Sequence, residues 1–183
     1  MARKESITVK MISEAAFEMA REEGFEQVTA RKLAARVGCS TQPIFRVYEN
    51  MEELNKEVFQ QAIAFFDLFY ENFEEKDNTP FVHLGLAYID FAMKEKKLFQ
   101  LLFLSSNRGD NSLYELLNGR TGAVGKEIAK ATELGCRNPS EIFMKMWIFI
   151  HGAACMGLTD DYDLSMDETL LLLKDTFHSI AGI

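Results

Sequence analysis

Residues 29–50, TARKLAARVGCSTQPIFRVYEN, read as two short helices joined by a tight turn. Thr29 suits an N-cap, because its hydroxyl can accept from one of the amides that a helix start leaves unpaired. Leu33, Ala34 and Val37 recur three to four residues apart, the spacing of one helical face. Gly38 comes next, and glycine enters the left-handed conformation without a Cβ clash, which ends a helix. Ser40 offers a cap for a second helix, 40–47, and Pro43 falls in its first turn, where no intrahelical amide bond is lost. Ile44 and Val47 read as the inward face of that helix, leaving Thr41, Gln42 and Arg46 outward. A short helix with a polar outer face, braced by a helix before it, is the shape that a duplex major groove admits. Arg and Gln have the forked geometry that matches guanine and adenine edges. Arg31 and Lys32, in the first turn of the preceding helix, are placed for phosphates, which set register rather than sequence.

Outward from this motif the helical pattern continues. Residues 7–23 form an amphipathic helix on Met11, Ala15 and Met19 with Ile12, Ala16 and Ala20 beside them, and Gly24 ends it. Asn50 with Glu53 is a capping pattern that opens a long helix over 50–75, aromatic on more than one side through Phe59, Phe65, Phe66, Phe69 and Phe73. Thr79-Pro80 opens a helix over 80–97, closed by Lys94, Lys96 and Lys97, and a short helix follows at 98–105. Asn107 to Asp110 reads as a loop. Ser112 with Glu115 opens a helix that Gly119, Gly122 and Gly125 can interrupt and that runs to Leu134. Asn138-Pro139 starts a helix to Gly157, and Ser165 with Glu168 caps a last one at 166–181. No alternating strand pattern appears. The expectation is an all-α chain of about nine helices, with a three-helix helix-turn-helix head at 1–50 and a helical body at 51–183. Disorder is expected only in the opening residues, MARKES.

The net charge of −8 argues against a nucleic-acid binder until its distribution is read. Residues 1–46 carry eight Lys/Arg and six Asp/Glu, whereas residues 47–183 carry 12 and 22. A mildly basic head on an acidic body turns the head towards phosphate. The three cysteines, Cys39, Cys136 and Cys155, share no metal-ligand spacing, which suits a reducing cytoplasm. Trp147 to Leu158 is too short for a bilayer span and contains His151, so no membrane association is expected. No Gly-rich phosphate loop, HExxH or Ser-centred elbow occurs, so no enzyme activity, cofactor or metal is expected. The acidic run Asp160, Asp161, Asp163 lacks the Gly and Glu of a calcium loop and reads as a solvated turn.

ISEAAFEMAREEGF at 12–25, TARKLAARVGCS at 29–40, IFRVY at 44–48 and NMEEL at 50–54 together resemble the head of the tetracycline-repressor family. LAYIDFAMKEKKLFQLLF at 86–103 and WIFIHGAA at 147–154 are similar to one large subgroup of it. Phe45, Val47 and Met51 stand where that family usually has Tyr, His and Lys. The missing phosphate contacts are expected to move to Tyr48, Asn50 and the amides at the next helix start. The resemblance implies a cytoplasmic regulator that binds a double-stranded DNA operator, most simply a repressor. Its DNA contacts would come from Thr29, Arg31, Lys32, Ser40, Thr41, Gln42, Pro43, Phe45, Arg46, Tyr48 and Asn50. It also implies a small effector held between the helices of 80–134 and a homodimer paired through the last two helices. The aromatic stock of the body points to an apolar or aromatic effector, with Phe66, Phe69, Tyr88, Phe91, Phe99 and Phe103 as candidate lining, joined by Met144, Trp147 and His151. The pairing candidates are Phe143, Ile150, Ala154 and Leu158 on one helix and Leu170, Leu173 and Phe177 on the other. The competing reading is a helical module that binds a small molecule or a protein and has lost or weakened its hold on DNA.

Overall fold

In a computed structural model, which describes residues 7–106, 111–120 and 122–182, the chain forms ten α-helices and no strand among the described residues. The opening MARKES and the loop reading at 107–110 lie outside the described residues. The helices are α1 (Val9–Glu22), α2 (Ala30–Val37), α3 (Ile44–Val47), α4 (Met51–Glu71), α5 (Val82–Lys94), α6 (Lys96–Phe99), α7 (Leu113–Asn118), α8 (Ala123–Glu133), α9 (Pro139–Leu158) and α10 (Met166–Ala181). A 3-10 turn, Phe25–Gln27, links α1 to α2, and α6 runs on into a π-turn at Gln100–Leu104. Two compact units result. Residues 7–64 with 97–106 form one, and residues 65–96 with the described residues beyond 110 form the other.

In the first unit, Ile12, Ala16, Met19 and Ala20 of α1 close on Leu33 and Ala34 of α2, Ile44 of α3, and Leu54 and Val58 of α4. Thr8 and Thr29 cap α1 and α2 through their hydroxyls, which accept from the amides of Met11 and Lys32. Gly38 ends α2 at φ 76°, a value that costs a Cβ-bearing residue of the order of 1 kcal/mol. The sequence reading of the second motif helix needs correction. It is a single α-helical turn from Ile44, with Pro43 as its cap residue and no capping bond from a side chain. Val47 is exposed, and Tyr48 takes the inward place beside Ile44. The reason is local: Tyr48 leaves the helix in an extended conformation, which swings its ring into the head core.

In the second unit α5 is the centre, with every residue from Val82 to Ala92 buried. A helix buried all round must be covered all round, and α8, α9 and α10 pack on it. Gly85 permits the close approach: a Cβ there would stand 2.8 Å from Cδ1 of Ile150 on α9 and 3.0 Å from Cδ1 of Leu173 on α10. The capping boxes at Ser112/Glu115 and Ser165/Glu168 form as read, and α10 spans the expected residues. The start of α5 does not. Pro80 precedes the helix, because Phe81 adopts a left-handed φ of 66° and donates its amide to the buried Glu127 carboxylate. A surface charge shift marks the same region. Burial alone would raise the Asp77 carboxyl, but Lys174, 2.6 Å away, and the Thr79 hydroxyl and amide hold it down to about 2. A depressed carboxyl stabilises the fold above its unfolded value and loses that contribution as pH falls from about 4 towards 2. Asp77→Asn is therefore expected to cost about 1–2 kcal/mol at pH 7 after allowance for solvent screening. The difference from the parent protein should vanish near pH 2, as read by urea unfolding at both pH values. A constant deficit across that range would contradict the pairing.

Candidate nucleic-acid interface

The outer side of α3 and of the turn before it carries Ser40, Thr41, Gln42, Phe45 and Arg46, all exposed, with Pro43 half-buried among them. The backbone already turns helically from Thr41, since the amides of Ile44 and Phe45 donate to the Thr41 carbonyl and that of Arg46 to Gln42. Gln42 and Arg46 are thus one helical turn apart on one face. Phe45 is 48% exposed, a large apolar ring on an otherwise polar patch.

The basic residues of α2 differ in availability. Arg36 is bound to Glu22 at 2.7 Å and to Glu23 at 3.5 Å. Lys32 lies 2.5 Å from the Gln27 side chain and 3.7 Å from Glu23. The acids at the end of α1 therefore neutralise one side of α2. Arg31 and Arg46 are exposed and make no ion pair among the described residues, so their guanidinium groups face solvent.

Tyr48 and Asn50, expected to take over phosphate contacts, are placed otherwise. Tyr48 is 4% exposed and donates its hydroxyl to Glu57 Oε2 at 2.8 Å. Burial, followed by the neighbouring Glu57 carboxylate, pushes its phenol up to about 12. Asn50 Oδ1 accepts from the Glu53 amide at 3.0 Å, and the Glu53 carboxylate accepts from the Glu49 amide at 2.7 Å. The start of α4 is thereby capped by its own residues and ringed by carboxylates, which disfavours a phosphate there. The residue the sequence reading missed is Glu57. It accepts from Ser13 of α1 as well as from Tyr48, and Gln61 donates to the same Ser13, so one partly buried polar knot joins α1, α4 and the end of α3. Glu57 and Gln61 four apart on α4 were the available signal.

The candidate effector residues fall into separate groups. Phe66, Phe69, Tyr88 and Phe91 form a close aromatic cluster, with Phe66 and Phe91 at a centroid distance of 4.9 Å, edge to face. Tyr88 also meets Trp147 and lies 2.9 Å from His151 Nδ1, while burial lowers the His151 imidazole. Phe99 and Phe103 belong to the first unit and are buried against each other. Met144 is exposed, so it lines no interior space. A groove of about 420 Å³ does open in the second unit, lined by Phe65, Leu68, Phe69, Asn72, Phe73, Glu74, Asp90 and Lys94, mostly residues outside the candidate set.

The pairing candidates also need correction. Phe143, Ile150, Ala154, Leu173 and Phe177 are buried inside the second unit, and Leu158 and Leu170 are half-buried. Ile150 and Leu173 meet α5 at Gly85, and Phe143 and Phe177 meet Phe81 at its start. The outward stripe of α9 is Met144, Ile148, Gly152 and Met156, at steps of four, with Ile148 at 67% exposure. Leu171 of α10 is likewise exposed.

The family model "Bacterial regulatory proteins, tetR family" matches residues 12–58, the span of the head core from Ile12 to Val58. A comparison with curated protein sequences finds no match. Among solved structures, the chain is similar to a TetR-like transcriptional regulator from Rhodococcus sp. RHA1, with a TM-score of 0.63 at 14% identity, covering 95% of this chain and 96% of that one. It is similar also to a TetR transcription regulator from Haloarcula marismortui ATCC 43049, with a TM-score of 0.58 at 17% identity, covering 94% and 95%. At such identities the likeness is one of fold.

Proposed function

We propose, from a chain that belongs to the tetR family of bacterial regulatory proteins by its residues 12–58 and by its fold, that this DNA-binding transcription regulator is a homodimeric repressor released from its operator by a small effector. The observation that carries the reading is the exposed patch of Thr41, Gln42, Phe45 and Arg46 on a helical turn whose other side is locked into the head core by Ile44 and Tyr48. Gln42 and Arg46 read base edges. Phe45 is suited to the thymine methyl group, the apolar feature of the major groove. Ser40, Pro43 and Thr29 line the same approach, and Arg31 serves a phosphate. Two such heads, set by a two-fold pairing of α9 and α10, fit half-sites one helical turn apart. The outward stripe of Met144, Ile148, Gly152 and Met156 with Leu171 supports that pairing, since apolar side chains grouped on a surface mark contact sites. An effector bound in the body favours a state whose head spacing no longer fits both half-sites, by its differential affinity for the two states. The protein works in the cytoplasm, where its operator is.

The test is selection of sites from a random duplex pool, followed by affinity measurement across salt. A two-fold symmetric site whose affinity falls steeply with salt is expected. No enrichment at low salt, with a small molecule still bound, would leave a ligand-binding module without DNA function.

A further inference from the structure

We propose that the groove between α4 and α5 binds an organic cation with an aromatic or apolar body, and that Asp90 is its counterion. This names the effector class that the functional reading requires and rests on that reading for its effect on DNA, though not for the binding itself.

Three features of the groove select that chemistry. Its wall is Phe65, Leu68 and Phe69 of α4, with Phe73 just beyond the end of that helix. Leu68 is 57% exposed, and the Phe69 and Phe73 rings lie nearly parallel, 27° apart, at 6.3 Å, so they present a continuous aromatic surface. The volume of about 420 Å³ suits a small molecule, and a recess of about 190 Å³ continues it past Leu86 and Met166 while sharing Phe73, Glu74, Asp90 and Lys94.

At the α5 side lies Asp90, 5% exposed. Its partner among the described residues is the Lys94 ammonium, 2.7 Å from Oδ2, on a side chain that is 65% exposed. A buried carboxylate must be compensated. Here the compensation comes from an ammonium on a largely exposed side chain, which a ligand ammonium or phosphonium can replace. The groove's ionisable residues are Glu74, Asp90 and Lys94, one more acid than base. An anion would meet two carboxylates. A neutral body would gain the aromatic wall and nothing from Asp90. A cation gains both, because aromatic faces attract positive charge as well.

Isothermal titration of the full-length protein without DNA tests this with two probes of matched shape and opposite charge, tetraphenylphosphonium and tetraphenylborate. The cation is expected to bind and the anion to bind at least about tenfold more weakly. Asp90→Asn should weaken the cation by about tenfold. Lys94→Ala should tighten it several-fold, a gain that misfolding cannot produce. Equal affinities for the two probes, or a cation affinity indifferent to both variants, would overturn the assignment. Release of operator DNA by the cation is then measured separately. Binding as expected without release leaves the site standing and removes the effector role, whereas absent binding on a protein that holds its operator removes the site alone.

Discussion

Replacing Ile148 with aspartate is expected to separate the protein into monomers and to weaken its hold on a two-fold DNA site by about a hundredfold or more, since joined heads gain roughly 10²–10⁴ from mutual effective concentration. Ile148 is 67% exposed in the single chain and stands between Met144 and Gly152 on the outward stripe of α9. A two-fold interface places the same patch against itself, so one substitution introduces two carboxylates into it. Because the side chain touches little of its own fold, the monomer should remain folded. Ile150, two residues on, makes the control. It is buried where α5 passes at Gly85, and Ile150→Ala is expected to cost about 2–4 kcal/mol of folding stability while leaving the association unchanged. Sedimentation and thermal unfolding of both variants separate the two roles. An Ile148→Asp protein that sediments as the parent does would sink the assignment of this face.

The contrast between Ile148 and Ile150 shows where sequence reading succeeds and where it stops. Helix boundaries that depend on local chemistry were legible: Gly38 ends α2, Ser165 with Glu168 starts α10, and Gly119 and Gly122 divide α7 from α8. These signals act within a few residues and need no tertiary partner. The direction each stripe faces was not legible for α9, because two apolar stripes run along it and either can be turned inward. The choice falls to α5, which is buried on every side and therefore takes the broader stripe of its neighbour. Tyr48 is a second case. From sequence it is a phenol beside a DNA-reading turn, and only the Glu57 carboxylate on α4, nine residues away, reveals that its hydroxyl is spent within the head. The start of α5 is a third, since the Glu127 carboxylate that holds the Phe81 amide comes from 46 residues further on. The exposure of Thr41, Gln42 and Arg46 was legible from polarity, because the turn has one side in the core and the rest in solvent. The Asp90 groove was legible only at Phe69, which stood among the candidate lining residues; nothing in the local pattern marks Leu68 or Asp90 until their neighbours are known.

The head makes an unequal prediction for two cations that sequence places on the same footing. Arg46→Ala is expected to cost about 1–3 kcal/mol per half-site and to relax preference at one base pair, as loss of a bidentate base contact does. Lys32→Ala, although a lysine near the same surface, is expected to cost only a few tenths of a kcal/mol, the range of an exposed ion pair. The difference lies in what each cation does before DNA arrives. Arg46 is exposed with no ion pair among the described residues, so its guanidinium is offered to a ligand without first leaving one. Lys32 already serves Gln27 and Glu23, and moving to a phosphate exchanges one charge partner for another while leaving Glu23 less compensated. The measurement is affinity for the selected site and for one-base variants of it, across salt. Arg46→Ala should flatten the sequence preference, and Lys32→Ala should leave both preference and salt slope close to those of the parent. If Lys32→Ala instead lowers the slope by about one counterion per head, the bridge to Glu23 breaks on binding. The acids at the end of α1 would then act as a gate on the phosphate contact rather than as its replacement.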